Sequence, residues 1–381
     1  MPSKILVVDA DSASRNFIAQ KLLGQNHEVL QAGSGKEGLI FAWRDHPDLI
    51  IADPTMTDLK GEEFAQKLKR DSRTAQVPLI ALSSHSGTER IKSCLEAGFN
   101  EYITKSGQAV PMLTDAIRRL LALNGDAIKE GGKLIVFVSA KGGTGVSSLC
   151  ANFAMNISVN QPDARLAVAD LVSPIGSIAS IVGYEGSVNI VSVADMADDA
   201  TPPDFFRNEL PEIRTWKFNL LAGSPDPELN NQLKVERLWD IVASLRMAYD
   251  YVLLDIGRSL SRITLPLIQH ADLVVLLIST DTSALPLTKT LLDYLKSKGV
   301  SEHSIYSILN RAPGLEGLSK AEAENMLGIK INIAMPYLSA NLAFANSHHQ
   351  PFTLKFPNDA ATLIFQQSAK EMLVRIEKVL T

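Results

Sequence analysis

Cysteine is nearly absent: Cys94 and Cys150 are the two thiols in 381 residues. Two thiols cannot build a disulfide framework, so a reducing cytosol is the expected setting. Long apolar runs are missing as well. Leu273 to Ile278 has strand length, and no run approaches the roughly 18 residues of a membrane span. The early run Ile5-Leu6-Val7-Val8 is too short for a secretory core and reads as a strand. An excess of positive charge is also lacking. There are 37 basic and 42 acidic residues, a net charge of −5, and the charges balance through Gly125 so that the deficit lies beyond it. A polycationic binder is therefore excluded as the default, and no sequence-specific nucleic-acid partner is expected. No internal repeat or low-complexity tract is visible.

What is present is globular. A hydrophobic share of 46% and a charged share of 21% exclude a disordered chain. At about 100–200 residues per domain, this length calls for two or three domains. Polar, glycine-containing clusters at Asn124-Gly125-Asp126 and Lys129-Glu130-Gly131-Gly132 mark a linker. The expected organisation is a domain over 1–123, a linker over 124–132 and a domain over 133–381.

Both halves alternate short apolar runs with helical spacing, which predicts α/β architecture with two doubly wound parallel sheets. The first half has runs at Ile5–Val8, Glu28–Leu30, Leu49–Ala52, Leu79–Leu82 and Tyr102–Thr104, with helical faces such as Phe64 and Leu68, or Leu113, Ile117, Leu120 and Leu121. The second has runs at Leu134–Val138, Leu166–Ala169, Asn219–Leu221, Tyr251–Leu254, Leu273–Ile278, Ile305–Leu309 and Ile331–Ile333. Their near-continuous Val/Ile/Leu content fits strands covered on both faces.

Ligands of such sheets bind at the strand carboxyl ends. In the first half those ends carry Asp9 and Asp11, Asp53, Ser83 and Lys105. Carboxylates with a hydroxyl and an ammonium suit Mg²⁺ and phosphoryl chemistry. Order and spacing over residues 3–122 resemble the receiver domain of two-component response regulators. The resemblance implies Asp53 as phospho-acceptor, Asp9 and Asp53 as metal-side carboxylates, and Ser83 and Lys105 as switch hydroxyl and lysine. Ala10 stands where receivers carry a second adjacent acid, Met56-Thr57-Asp58 replaces Met-Pro-Gly, and Ser106 replaces a proline. These departures favour a receiver fold kept as an interaction module over a phosphorylation switch.

In the second half, strand Lys133–Val138 runs into Ser139-Ala140-Lys141-Gly142-Gly143-Thr144-Gly145-Val146-Ser147-Ser148 and then a helical pattern. A strand, a glycine-rich loop and a helix form the context of a phosphate-binding loop, and Ser147 is placed to ligate Mg²⁺. Ala140 and Val146 stand at the first glycine and the lysine of the ordinary motif. The loop resembles instead the deviant Walker A of the MinD/ParA family over about residues 132–381. That resemblance implies nucleotide binding by Lys141, Gly142, Gly143, Thr144, Gly145, Val146, Ser147 and Ser148. It also implies Lys141 as a signature lysine reaching a partner subunit, Asp170 as a switch carboxylate and Asp255 near Mg²⁺. Asn310-Arg311 falls at the adenine side. Asp170 and Lys141 are the expected catalytic residues and ATP with Mg²⁺ the expected cofactors. Val146 argues against fast hydrolysis.

The His348-His349 pair reads as surface, the cysteines as small buried apolar residues. The amphipathic terminal helix with Leu363, Ile364, Met372, Leu373, Ile376, Val379 and Leu380 is expected to dock on its own domain. The two-domain order resembles the TadZ/CpaE family of tight-adherence (Flp/Tad) pilus systems. It implies a cytoplasmic homodimer at the cell pole that can sit peripheral to the inner membrane. Its implied partners are the secretion ATPase, the inner-membrane pilus platform and a polar receptor. An active positioning ATPase and a phosphorylation-controlled scaffold are the alternatives.

Overall fold

The computed structural model describes residues 3–25, 27–71, 73–75, 77–124, 131–261, 263–311 and 317–378. The chain divides into two compact units, Met1–Ala127 and Ile128–Thr381. Residues 125–130 of the expected linker lie outside the described residues. Gly132 is already tied into the second unit, because its N–H donates to the Arg246 carbonyl at 2.7 Å.

The first unit holds β1 (Lys4–Val8), β2 (Glu28–Ala32), β3 (Leu49–Ala52), β4 (Leu79–Ser83) and β5 (Glu101–Thr104). They form one parallel sheet in the order β2-β1-β3-β4-β5. Alternate side chains of a strand point to opposite faces, and β1 shows both being used. Leu6 and Val8 join a core with Leu39, Phe64, Leu68 and Cys94. Ile5 and Val7 join another with Ile18, Leu22, Leu113 and Ile117. Helices α2 (Gly35–Asp45), α3 (Gly61–Arg70) and α4 (Thr88–Ala97) therefore cover one face. Helices α1 (Ser12–Leu23) and α5 (Ala109–Asn124) cover the other. This is the doubly wound arrangement that the apolar runs predict.

The second unit contributes β6 (Lys133–Ser139), β7 (Leu166–Asp170), β8 (Glu212–Ile213), β9 (Phe218–Leu221), β10 (Tyr251–Asp255), β11 (Leu273–Ser279), β12 (Ile305–Asn310) and β13 (Ile333–Met335). Their order is β13-β12-β11-β6-β10-β7-β9-β8. All neighbours are parallel except β8, which runs antiparallel to β9. The expected doubly wound sheet is present and mostly parallel, with β8 as an added antiparallel edge strand. β8 has two residues and no apolar alternation to announce it. The last strand also falls later than its apolar run: Ile331 is buried as a side chain, while its N–H donates to Glu324 Oε1 at 2.8 Å.

Helix α6 (Val146–Asn160) and the helix Ala360–Lys378 pack together on one face of this sheet. Phe153 joins them, with ring centroids 6.2 Å from Phe137 and 5.2 Å from Phe365. The terminal helix buries Phe365, Met372, Leu373 and Ile376 in its own unit. Tyr306 donates to its Glu371, and its Arg375 donates to the His303 carbonyl. Leu363 points outward at 69% exposure, contrary to the apolar stripe expected of it. Val379 and Leu380 lie outside the described residues. Both cysteines are buried. No helix among the described residues is long and apolar enough to cross a membrane.

A buried cation fixes the start of β6. Arg246 is 1% exposed and donates to the Gly132 carbonyl at 2.7 Å and to Asp272 Oδ2 at 2.9 Å. The same carboxylate oxygen accepts the Leu134 N–H at 2.8 Å. Removing one member of a buried pair leaves the other uncompensated, at about 3–5 kcal/mol. Arg246→Ala is expected to destabilise the second unit by about that much, read as a lower urea midpoint at unchanged slope.

Candidate functional site

In the first unit, Asp9, Asp53 and Lys105 follow the carboxyl ends of β1, β3 and β5. Lys105 Nζ lies 2.8 Å from Asp9 Oδ2 and 2.7 Å from Asp53 Oδ2. Asp53 Oδ1 accepts from the Thr55 N–H at 2.9 Å and from the Thr55 hydroxyl. Burial works to raise the Asp53 pKa, but Lys105 and Thr55 outweigh it, and the carboxyl stays below its ordinary value. The same two carboxylates raise Lys105 against its own desolvation. Ser83 is fully buried at the end of β4, where its hydroxyl accepts the His85 N–H. The structure thus brings the carboxylate pair and the lysine together at one sheet edge.

The neighbouring acids do other work. Asp11 caps α1 by accepting the Ala13 N–H at 2.9 Å, and its own N–H donates to Asp9 Oδ1 at 2.9 Å. Asp58 accepts the Gly35 and Lys36 N–H groups, both at 2.9 Å, and so tethers α2. Among the described residues, no group of three or more His, Cys, Asp or Glu is arranged to hold a metal.

The second unit builds its site where β6 meets α6. Gly143 and Gly145 adopt φ of +76° and +89°, left-handed conformations of the kind from which anion-binding nests are built. A Cβ at Gly145 would sit 2.9 Å from Asn310 Nδ2. That amide donates to the Thr144 carbonyl at 2.8 Å, so Asn310 acts as a buttress under the loop. Arg311 follows it at the end of β12 and is half-buried. Ser139 Oγ and Thr144 Oγ1 both donate to the Lys141 carbonyl and close the turn from within. Ser148 accepts from Asn346 Nδ2 at 3.0 Å. The Val146 side chain is buried in the apolar core beside Leu149 and Cys150. It contributes packing to the first turn of α6 and no charge to the loop. The cavity above the loop has a volume of ≈ 670 Å³.

Asp170 and Asp255 end neighbouring strands in register, and both are fully buried. Asp170 is committed to backbone: Oδ2 accepts from Ser177 at 2.7 Å and Ile178 at 2.9 Å, and Oδ1 from Val172 at 3.0 Å. Gly176 and Gly223 leave room for it, since a Cβ on either would come within 3 Å of the carboxylate. Burial lifts Asp170 above its ordinary pKa despite these donors. Asp255 Oδ1 accepts the Gly257 N–H at 2.9 Å, whereas its buried Oδ2 has no partner. Burial and the adjacent Asp170 push its pKa up to about 7. The Ser147 hydroxyl lies beside it and accepts from Ser177 Oγ at 2.8 Å. An orphaned carboxylate oxygen next to a serine hydroxyl and a second carboxylate is a donor set that fits a hard divalent cation.

Sequence reasoning missed two partners. The Lys141 ammonium is ion-paired to Asp281 and donates to Ser283 Oγ at 3.2 Å. Both follow β11, which lies beside β6 only because of the strand order. An Asp after an apolar strand was the available signal. His348 and His349 are exposed, as expected of them.

With this geometry in hand, the chain can be set beside known proteins. Residues 5–118 match the response regulator receiver domain family. Histidine kinase P4 of Formosa agariphila is 37% identical over 103 residues, 27% of this chain and 7% of the kinase. Response regulator PleD of Caulobacter vibrioides is 35% identical over 106 residues, 28% of this chain and 23% of PleD. Two-component response regulator ORR8 of Oryza sativa is 31% identical over 102 residues, 26% of this chain and 84% of ORR8. The chain belongs to the response regulator receiver family through this first unit. The second unit has the fold of ParA and MinD proteins. It resembles a ParA family ATPase from Chlorobium tepidum at TM-score 0.58 and 23% identity, over 62% of this chain and 98% of that one. It also resembles the MinD septum site-determining protein of Pyrococcus horikoshii, solved with Mg-ADP, at TM-score 0.54 and 18% identity, over 63% and 95%.

The Asp255 environment gives a pH prediction. A carboxyl raised to about 7 when folded binds more protons folded than unfolded above its ordinary range. Its stabilising effect is complete below an unfolded pKa of about 4 and is lost as pH rises through about 7. Without nucleotide or Mg²⁺, the second unit is expected to lose stability between about pH 4 and 7. Asp255→Asn should flatten that slope and stabilise the apo protein at pH 7.5. Urea midpoints across pH check both.

Proposed function

We propose that this chain is a two-domain hub in which Mg²⁺-ATP at the β6–α6 loop gates homodimerisation, with weak or no hydrolysis. The observation that supports this best is the conjunction at one cavity of four features. They are the positive-φ glycine loop, Ser147, the unpartnered Asp255 Oδ2, and a Val146 withdrawn into the core. The first three suit binding of a phosphate chain with its cation. The fourth removes the charge that a fast phosphoryl-transfer site places at that position. Gly142–Ser148 would hold the phosphates and Asp255 with Ser147 the Mg²⁺. Lys141 would leave Asp281 and cross to the second subunit when the dimer forms.

The order of a receiver unit ahead of a MinD/ParA-like unit resembles the TadZ/CpaE proteins. On that resemblance, the hub would mark the polar site where the Flp/Tad secretion ATPase and the inner-membrane pilus platform assemble. An active ParA/MinD-like positioning ATPase is the alternative for the same cavity, and steady turnover would distinguish it. Calorimetry with Mg²⁺-ATP, paired with light scattering, tests the main reading. Wild type should bind ATP and shift from monomer to dimer, and Lys141→Ala should lose the shift. Asp281→Ala should dimerise at lower ATP. A molar mass indifferent to ATP, with no binding heat, would sink the proposal.

The receiver unit supports a second reading, phosphorylation control at Asp53, because Lys105 already sits 2.7 Å from its Oδ2. Acetyl phosphate with Mg²⁺ should add one phosphoryl group to the full chain, and Asp53→Ala should abolish it. No mass increase on wild type would leave the unit as an interaction module held together by Lys105.

A further inference from the structure

The cavity over the phosphate loop is lined by two cationic side chains, Lys141 and Arg258. Lys141 is neutralised by Asp281, whose carboxyl it pulls down to about 2. Arg258 is exposed to the cavity, and among the described residues no hydrogen bond or ion pair holds it. Its position is set by the strand carrying Asp255. β10 ends at Asp255, Gly257 turns at φ +58°, and Arg258 follows. The Ser139 N–H donates to the Gly257 carbonyl at 2.8 Å, which ties this turn to the end of β6. The Arg258 stem then lies over the loop, with Cδ 4.0 Å from where a Cβ on Gly142 would stand.

The charges around the cavity make this arginine consequential. Asp170 and Asp255 are fully buried, and the Lys141–Asp281 pair is neutral in sum. A phosphate chain entering the cavity of one subunit would meet the backbone of the glycine loop and the Ser147 and Ser148 residues, with Val146 where a lysine charge would otherwise stand. An unpaired guanidinium is the group suited to that gap. It is permanently charged and offers a planar fork of donors that matches phosphate oxygens. Alone among the lining cations it needs no bond broken before it engages a ligand.

We propose that Arg258 is the phosphate-binding cation of this site, supplied from the turn after β10 in place of the lysine missing at Val146. The ligand class is the polyphosphate chain of a nucleotide, so the inference rests on the nucleotide reading above and deepens it. Arg258 is thereby a binding residue, and one whose exposure lets it be replaced without disturbing the core.

The test is calorimetry of Mg²⁺-ATP with the full chain, as wild type, Arg258→Ala and Arg258→Lys, with inorganic tripolyphosphate as competitor. Arg258→Ala should bind ATP roughly 10- to 100-fold more weakly, Arg258→Lys should fall between, and nucleotide-free melting should be unchanged. Tripolyphosphate should compete with ATP in wild type and lose that ability in Arg258→Ala. In the Arg258→Ala background, Val146→Lys should recover affinity where circular dichroism shows it folded. ATP binding equal in wild type and Arg258→Ala would overturn the assignment while leaving the nucleotide site standing. Weaker ATP binding with unchanged tripolyphosphate competition would also overturn it, since the contact would then be to the nucleoside. No ATP binding by wild type would remove both the assignment and the reading beneath it.

Discussion

Two carboxylates at the ends of adjacent parallel strands organise the second unit. Asp170 and Asp255 are register partners across β7 and β10, and neither is exposed to water. Like charges this close and this dry cannot both remain ionised without compensation. The protein meets the demand unequally. Asp170 receives three backbone N–H donors, whereas Asp255 receives one and keeps an oxygen unpaired. The result is a site poised to take either a proton or a cation.

Much of the surrounding backbone follows from this pair. The donors that satisfy Asp170 come from residues 172–178, so the segment after β7 is folded back on the strand end. Gly176 and Gly223 are required there, because side chains would fill the space of the carboxylate. The folded segment carries Ser177, whose hydroxyl donates to Ser147. The first turn of α6 is thus linked to the Asp170 loop through one hydrogen bond between hydroxyls. A cation drawing Ser147 toward Asp255 would compete with that bond and thereby act on both segments.

The parts of this arrangement differ in how far the sequence reveals them. Strand runs such as Leu49–Ala52 and Leu273–Ile278 were legible because parallel strands buried on both faces need uninterrupted apolar residues. Asp53, Lys105, Asp170 and Asp255 were legible because they follow such runs directly. β8 was not, since two residues paired on an edge need no pattern. The Lys141–Asp281 pair was hidden for another reason. It depends on β11 lying beside β6, and strand order is not written in local periodicity. Arg258 was hidden for the same reason: its stem crosses the loop only because β10 is the other neighbour of β6. Asp11 and Asn310 are each engaged with backbone, at the cap of α1 and under the loop.

The two units pose the same electrostatic problem and answer it differently. Asp9 and Asp53 also meet at the ends of adjacent parallel strands, β1 and β3. There the compensating charge belongs to the chain itself: Lys105 reaches both carboxylates from the end of β5 and holds Asp53 ionised. Bringing a metal into that pair would require displacing a covalently attached ammonium, with one carboxylate fewer than receivers usually supply. At Asp170 and Asp255 no lysine among the described residues intervenes, because Lys141 is turned to Asp281 and Val146 is buried in the core. A self-compensated pair suits a rigid module, and an uncompensated one suits a site that changes state on binding. The physical asymmetry rests on which strand end carries a lysine within reach.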